Sequence, residues 1–235
     1  MEKVVCILAG AGRGVRFSRE MPKCFYPIND EPLLTLSLET VGAWKGVDEY
    51  IVLVPPGWEE KAEEELKKRA GDVKYRVLAG GGTRQQSVSI GLAAIDEADM
   101  VIVHDACRPI VSKGMIERVV AAAREFGAAV PALQVTETLG RLRDDILEDI
   151  VPRERVVAIQ TPQAFKFDVL RKSFEVADET IRTATDESSL ALKAGFEVKL
   201  VEGERWNIKV TVREDLDIIT SFLSARTLDF EASSD

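Results

Sequence analysis

The sequence predicts an α/β protein with a doubly wound, mostly parallel sheet. Strand-like and helix-like segments alternate along its 235 residues, the pattern of a sheet wound with right-handed crossovers. The strand-like runs are continuously apolar rather than alternating, as in strands covered by helices on both faces. Hydrophobic residues make up 46% of the chain, enough for a sizeable core at this length.

The elements follow in order. β-Branched and apolar runs mark strands at 4–8, 50–54, 75–78, 100–103 and 128–133. Helical stretches lie between them at 33–44, 59–70, 85–95 and 115–126. From Gln134 to Gln160 the pattern changes. Two partly alternating runs flank Asp144-Asp145, which predicts a protruding β-hairpin arm over about 134–158. An isolated hairpin is marginal in water, so the arm needs something to pack against, such as another subunit. The chain resumes with helices at 168–176 and 187–194, a strand at 197–201 and a closing helix at 214–225. A frayed tail is expected over 229–235. No internal repeat or low-complexity linker divides the chain, so 1–235 is expected to be one domain.

Composition narrows the function. The net charge is −9 and the pI about 4.9. That balance argues against a general nucleic-acid or anionic-membrane surface, which needs basic excess. A local basic cluster inside an acidic shell remains open. Cys6, Cys24 and Cys107 are odd in number, widely spaced and without a CxxC, which reads as reduced thiols of a cytoplasmic protein. No apolar run reaches the roughly 20 residues of a membrane span. The opening residues read as a strand rather than a signal peptide. The single histidine, His104, excludes a histidine-rich metal site.

Candidate chemistry sits where strands are expected to end, because ligands of such sheets bind outside the carboxyl ends. The first strand empties into Gly10-Ala11-Gly12-Arg13-Gly14-Val15-Arg16-Phe17. Glycines let backbone amides approach an anion. Both the Walker A pattern and GxGxxG need glycine where Val15 stands, so neither is supported. An ordinary surface turn with solvated arginines fits the spacing as well. A second turn, Gly80-Gly81-Gly82-Thr83-Arg84 leading to Ser87, opens a helix, and His104-Asp105-Ala106-Cys107-Arg108-Pro109 closes the fourth strand. A tight structural loop and a hydrogen-bonded structural histidine are their plain alternatives. Thr185-Asp186-Glu187 caps a late helix, and Asn207 to Thr211 precedes the last one.

Taken together these segments resemble the 2-C-methyl-D-erythritol 4-phosphate cytidylyltransferases of the non-mevalonate isoprenoid pathway. The resemblance rests on the glycine loop through Arg16 and Phe17, Pro22-Lys23, Gly80-Gly81 with Arg84 and Ser87, His104–Pro109, Thr161-Pro-Gln163, Thr185-Asp-Glu187 and Asn207-Ile-Lys-Val-Thr211. These run in the family's order over nearly the whole chain. Departures are Cys107 for a common alanine, Phe17 for a frequent methionine, and Gly82-Thr83 where an acid is often found.

The resemblance implies a Rossmann-like fold of the nucleotide-diphospho-sugar transferase type. It implies transfer of CMP from CTP to methylerythritol phosphate with release of pyrophosphate, using Mg²⁺ held mainly by the CTP phosphates. Arg16, Lys23 and Lys209 would be catalytic. Gly10, Ala11, Gly12, Gly14, Gly81, Gly82, Thr83, Arg84, Ser87 and Asp105 would hold CTP. Asp105, Arg108, Thr138, Arg153, Thr185 and Lys209 would gather around the acceptor, with Thr138 and Arg153 reaching the neighbouring site of a homodimer through exchanged arms. The chemistry agrees with the residues, since the acceptor phosphate is already anionic and needs no protein base. A cytidylyltransferase for another alditol phosphate, such as ribitol phosphate, is the nearest alternative. A non-catalytic nucleotide-binding protein is the alternative of another class.

Overall fold

The computed structural model describes residues 2–12, 17, 21–69, 71, 73–177 and 184–232. The first strand, β1 (Val4–Ala9), leads through a short turn of helix at Lys23–Phe25 to a small ribbon, β2 (Pro27–Ile28) and β3 (Glu31–Pro32). Then come α1 (Leu33–Gly42), β4 (Glu49–Val54), α2 (Glu59–Lys67), β5 (Tyr75–Ala79) and α3 (Arg84–Ala93). The alternation continues with β6 (Met100–Asp105), α4 (Lys113–Phe126) and β7 (Ala128–Gln134). A hairpin of β8 (Leu139–Arg143) and β9 (Ile146–Val151) precedes β10 (Val157–Ile159), β11 (Gln163–Lys166) and α5 (Phe167–Ala177). The chain closes with α6 (Glu187–Lys193), β12 (Lys199–Glu202) and α7 (Glu214–Ala232).

The sheet order is β10-β7-β11-β6-β1-β4-β5, with β12 paired to β7. Neighbours β6, β1, β4 and β5 are parallel, as are β7 and β12. This is the expected mostly parallel sheet, with an addition. β11 slots antiparallel between β6 and β7, and β10 pairs antiparallel with the end of β7. The arm therefore springs from the sheet itself, leaving at the end of β7 and returning as β10. Strands of three and four residues are too short to show a hydrophobic period.

Alternate residues explain the two-sided cover. Val4, Cys6 and Leu8 of β1 face a layer holding Leu34, Leu38, Met115 and Val119 from α1 and α4. Val5 and Ile7 face the opposite layer, with Val88 and Leu92 of α3, Leu170 and Phe174 of α5, and Leu190 of α6. Both layers being apolar, β4 and β6 are buried along their whole length. Truncating such a side chain to alanine costs roughly 2–5 kcal/mol.

Element ends differ modestly from expectation. α1 stops at Gly42 and α2 at Lys67, while Ala70 lies outside the described residues. α4 ends at Phe126 and is capped by Gly127, which takes φ +90 and donates its N–H to the Ala123 carbonyl. The backbone of α7 runs to Ala232 through residues expected to fray, because no glycine or proline there interrupts it. Among the described residues no helix is long and apolar enough to cross a membrane. Since β1, β4, β5 and β6 are parallel, their carboxyl ends share one rim, and the segments that follow Ala9, Val54, Ala79 and Asp105 meet there.

Candidate active site

The two glycine loops are packed on one another. Gly10 donates its N–H to the Leu53 carbonyl at 2.8 Å, and a Cβ on it would lie 2.8 Å from that same oxygen. Gly80 donates to the Val54 carbonyl, and its Cβ would fall 2.1 Å from the Ala11 Cβ. A larger residue at either position would push the loops off the sheet.

α3 begins with a capping box. The Thr83 hydroxyl accepts from Gln86 N, while Thr83 N donates to the Gln86 side chain, both at 3.1 Å. Ser87 braces the same loop, accepting from Gly81 N at 3.0 Å and donating to the Thr83 carbonyl at 2.8 Å.

From that helix start Arg84 reaches across the rim. Its Nε donates to Asp105 Oδ1 at 2.8 Å, and its Nη1 donates to both oxygens of Glu187 at 2.7 and 2.9 Å. Glu187 is fully buried at the start of α6, behind the Asp186 cap. Lys209 Nζ lies 2.7 Å from Asp105 Oδ2, and Arg108 Nε lies 3.6 Å from it. Burial disfavours ionised Asp105, yet Arg84, Lys209 and Arg108 hold its carboxyl well below the usual range. Burial pushes the Glu187 carboxyl upward and Arg84 opposes it. Because Nη1 bonds both Glu187 oxygens, the geometry serves the ionised pair. Among the described residues Arg84 Nη2, which is buried, has no hydrogen-bond partner.

His104 is structural. Its Nε2 contacts the Arg108 carbonyl at 3.0 Å and its Nδ1 the Thr161 hydroxyl at 3.1 Å. A carbonyl can only accept, so Nε2 carries the proton and Nδ1 accepts from Thr161. Thr161 in turn accepts from Asp105 N at 3.1 Å. This chain pins Asp105 and the Arg108 turn together. Burial lowers the imidazole pKa to about 4, so the ring is neutral. Asn207 completes the frame, donating to the Thr161 carbonyl at 2.7 Å and accepting at its own carbonyl from Arg108 Nη1 at 2.7 Å.

Two clefts open on this rim. One, of about 320 Å³, is lined by Gly10, Ala11, Gly12, Lys23, Ser87, Cys107 and Thr211 together with Arg84, Asp105 and Lys209. The other, of about 420 Å³, is lined by Arg108, Gln160, Thr161, Gln163, Thr185 and Asp186 among others, again with Arg84, Asp105 and Lys209. Those three shared residues form the wall between them. In the first cleft three cations, Lys23, Arg84 and Lys209, face one carboxylate among the described residues, Asp105. This local excess stands inside a chain of net charge −9, so the basic cluster left open by composition is present. Lys23 is held by the Val210 carbonyl at 2.6 Å, its one hydrogen-bond partner among the described residues, so two of its three donors face none of them.

The structure thus brings together Gly10, Ala11, Gly12, Lys23, Arg84, Ser87, Asp105, Arg108, Thr185 and Lys209. Arg16 and Gly14 lie outside the described residues. Gly81, Gly82 and Thr83 are not among the lining residues of either cleft, and the amides of Gly81 and Thr83 are engaged inside their own loop. Ser87 lines the first cleft, and its hydroxyl also braces the loop. Thr138 and Arg153 line neither cleft. Both are exposed at the base of the arm, where Arg153 donates to the Thr136 carbonyl. Sequence reasoning gave Glu187 no role, since an acid following an N-cap reads simply as a first-turn charge.

Glycine loops and clustered cations on the carboxyl rim of a mostly parallel α/β sheet make a site suited to a phosphorylated ligand. The family model for 2-C-methyl-D-erythritol 4-phosphate cytidylyltransferase matches residues 4–225. The curated protein of that name from Acidobacterium capsulatum is 35% identical over 236 residues, covering 96% of this chain and 99% of the relative. Its namesake from Thermosipho africanus is 34% identical, covering 92% and 96%. The crystal structure of the Thermus thermophilus enzyme superposes with a TM-score of 0.77 at 34% identity, covering 94% of this chain and 98% of that one. A 4-diphosphocytidyl-2C-methyl-D-erythritol synthase from Anaerococcus prevotii gives 0.82 at 29%, covering 95% and 96%. The chain belongs to the 2-C-methyl-D-erythritol 4-phosphate cytidylyltransferase family. It is accordingly an enzyme, a nucleotidyltransferase of the non-mevalonate isoprenoid pathway.

Proposed function

We propose that the first cleft takes CTP and the second the methylerythritol phosphate, with reaction across the wall of Arg84, Asp105 and Lys209. The observation that carries this reading is that, among the described residues, these three and no others line both clefts. The acceptor phosphate attacks the α-phosphate of CTP, and pyrophosphate leaves. The obstacle is an anion attacking an anion. Lys23 and Lys209 meet it with ammonium groups, each fixed through one donor and free through the others. Holding both reactants against one wall supplies the orientation that such a step needs. Arg108 and Thr185 lie on the acceptor side.

The family resemblance also implies Mg²⁺. Among the described residues Asp105 is the one carboxylate of the nucleotide cleft and three cations face it, so these residues do not build a cage for a divalent ion. Nor does any cluster of three or more metal-ligating side chains occur among the described residues. The ion would be held by the CTP phosphates, where it screens their charge.

The enzyme works as a homodimer in the cytoplasm, each arm reaching its neighbour. Leu142, Leu147 and Ile150 are 50–69% exposed on one side of the arm, where Leu142 pairs with Leu147, an apolar face that a second subunit would cover. Thr138 and Arg153, outside both clefts of their own chain, would complete the partner's acceptor site. Three free, buried cysteines accord with a reducing compartment.

Pyrophosphate release with CTP and Mg²⁺ tests the reading, using methylerythritol phosphate, ribitol phosphate or no acceptor in parallel. Release only with methylerythritol phosphate is expected. Release only with ribitol phosphate would reassign the acceptor, and no release with any acceptor would overturn the reading.

A further inference from the structure

Asp105 and Lys209 stand in the wall between the clefts, but the group that fixes this wall lies behind it. Glu187 has no exposed surface and lines neither cleft. Its two oxygens clamp Arg84 Nη1 at 2.7 and 2.9 Å. Arg84 Nε then holds one oxygen of Asp105 at 2.8 Å, and the other oxygen holds Lys209 at 2.7 Å. Charges alternate along the line: carboxylate, guanidinium, carboxylate, ammonium. Each link uses a different atom, so a change at the buried end is passed to the ammonium at the reacting end.

We infer that Glu187 is a positioning residue of the cytidylyl transfer: its clamp on Arg84 sets Asp105 and Lys209 in the wall between the clefts. This rests on the assignment of the two clefts above. The local sequence supports such a division of labour. Asp186 caps α6 through Ser189 N and Ser188 Oγ, so Glu187 is not needed as the cap. Ser188 N is held by the Gln163 side chain on β11, which fixes the start of the helix to the sheet. Glu187 thus points inward from an anchored helix start.

The test compares Glu187→Gln, Glu187→Asp and Lys209→Ala by steady-state pyrophosphate release, with Tm measured on each and assays run well below it. The positioning role predicts that Glu187→Gln, which keeps shape and loses charge, lowers kcat roughly 100-fold, the scale of a misplaced reacting group. Its KM for the acceptor should rise while that for CTP moves less. Glu187→Asp keeps the charge and should recover part of kcat. A merely structural role would lower Tm and leave kcat and KM of the folded protein unchanged. If Glu187→Gln does not fold, Glu187→Asp decides alone, since a one-carbon retreat of the clamp should still lower kcat about tenfold by the same misplacement. Wild-type kcat and KM in either folded variant would overturn the inference. Should Lys209→Ala also retain full activity, the assignment of the clefts fails instead.

Discussion

Glu187, beneath the rim, has no exposed surface and holds its partner through two short bonds. Leu147, on the arm, is 63% exposed, and its strand pairs only with the other half of the hairpin. The contrast extends to both regions as wholes. At the rim, Lys23, Arg84, Asp105, His104 and Lys209 each find a partner in the same chain. Along the arm, residues 140–150 are exposed throughout. The rim is a charged device prepared in advance within one protomer. The arm is a segment whose apolar side chains and predicted acceptor contacts lie outside it. Under the proposed arm exchange, catalytic charge and completion of the acceptor site come from different places, and substitutions should separate them.

The largest effect should fall on the rim alone. Lys23→Ala and Lys209→Ala are each expected to lower kcat a few hundredfold, about 3–4 kcal/mol in the barrier, by analogy with losing an oxyanion donor. Tm should change little, because each ammonium is only partly buried. A well-folded Lys23→Ala protein with unchanged kcat would break the comparison on its catalytic side.

Next is the acid sensitivity of the rim. His104 has a pKa of about 4 in the fold against 6.5 for the free side chain, so the unfolded state binds more protons in between. Its contribution is present above 6.5 and lost as pH falls toward 4. At about 1.4 kcal/mol per unit this is about 3 kcal/mol of stability. Denaturant unfolding followed across that window should show the decline, and His104→Gln should flatten it. The arm holds no histidine, so the part of the decline that His104→Gln removes belongs to the rim.

The arm should respond through assembly. Leu142→Ala removes one apolar side chain from the surface assigned to the partner, worth about 2 kcal/mol if fully buried there. Sedimentation should register a dimer weakened by more than tenfold, while the Tm of the protomer core stays put. An unaltered association constant would place the dimer contact elsewhere. Smallest is Thr83→Ala, which removes one half of the α3 capping box and should cost about 1 kcal/mol of stability.

Legibility in the sequence follows the same division. The strands of the core could be read because both their faces are buried, which makes Tyr50–Val54 or Met100–Val103 continuously apolar. The hairpin could be read from two alternating runs around Asp144-Asp145, and its turn does carry Asp144 at φ +53. β10 and β11 could not, because three- and four-residue strands are specified by their distant partner β7 rather than by their own pattern. In the site, Lys23, Asp105, Arg108 and Lys209 were found as charged residues in segments that resemble a family. Ser87 does line the nucleotide cleft, but the bracing of its hydroxyl by Gly81 and Thr83 is a tertiary detail that the sequence does not display. Glu187 was passed over. Burial of a charged residue is a tertiary property, and the two neighbours that would betray it, Arg84 and Asp105, lie 103 and 82 positions away.

The central claim is that a rim prepared in one protomer is completed by the arm of another. Mixing tests it directly. Arg153→Ala and Lys209→Ala proteins, each nearly inactive alone, are dissociated, combined and reassembled, and pyrophosphate release is measured. With the arm serving the neighbour, a mixed dimer holds one site with both Lys209 and Arg153 intact. Activity should then return to a substantial fraction of the unaltered enzyme. If each arm serves its own chain, every site lacks one of the two, and mixtures that demonstrably contain the mixed dimer will stay as inactive as their components.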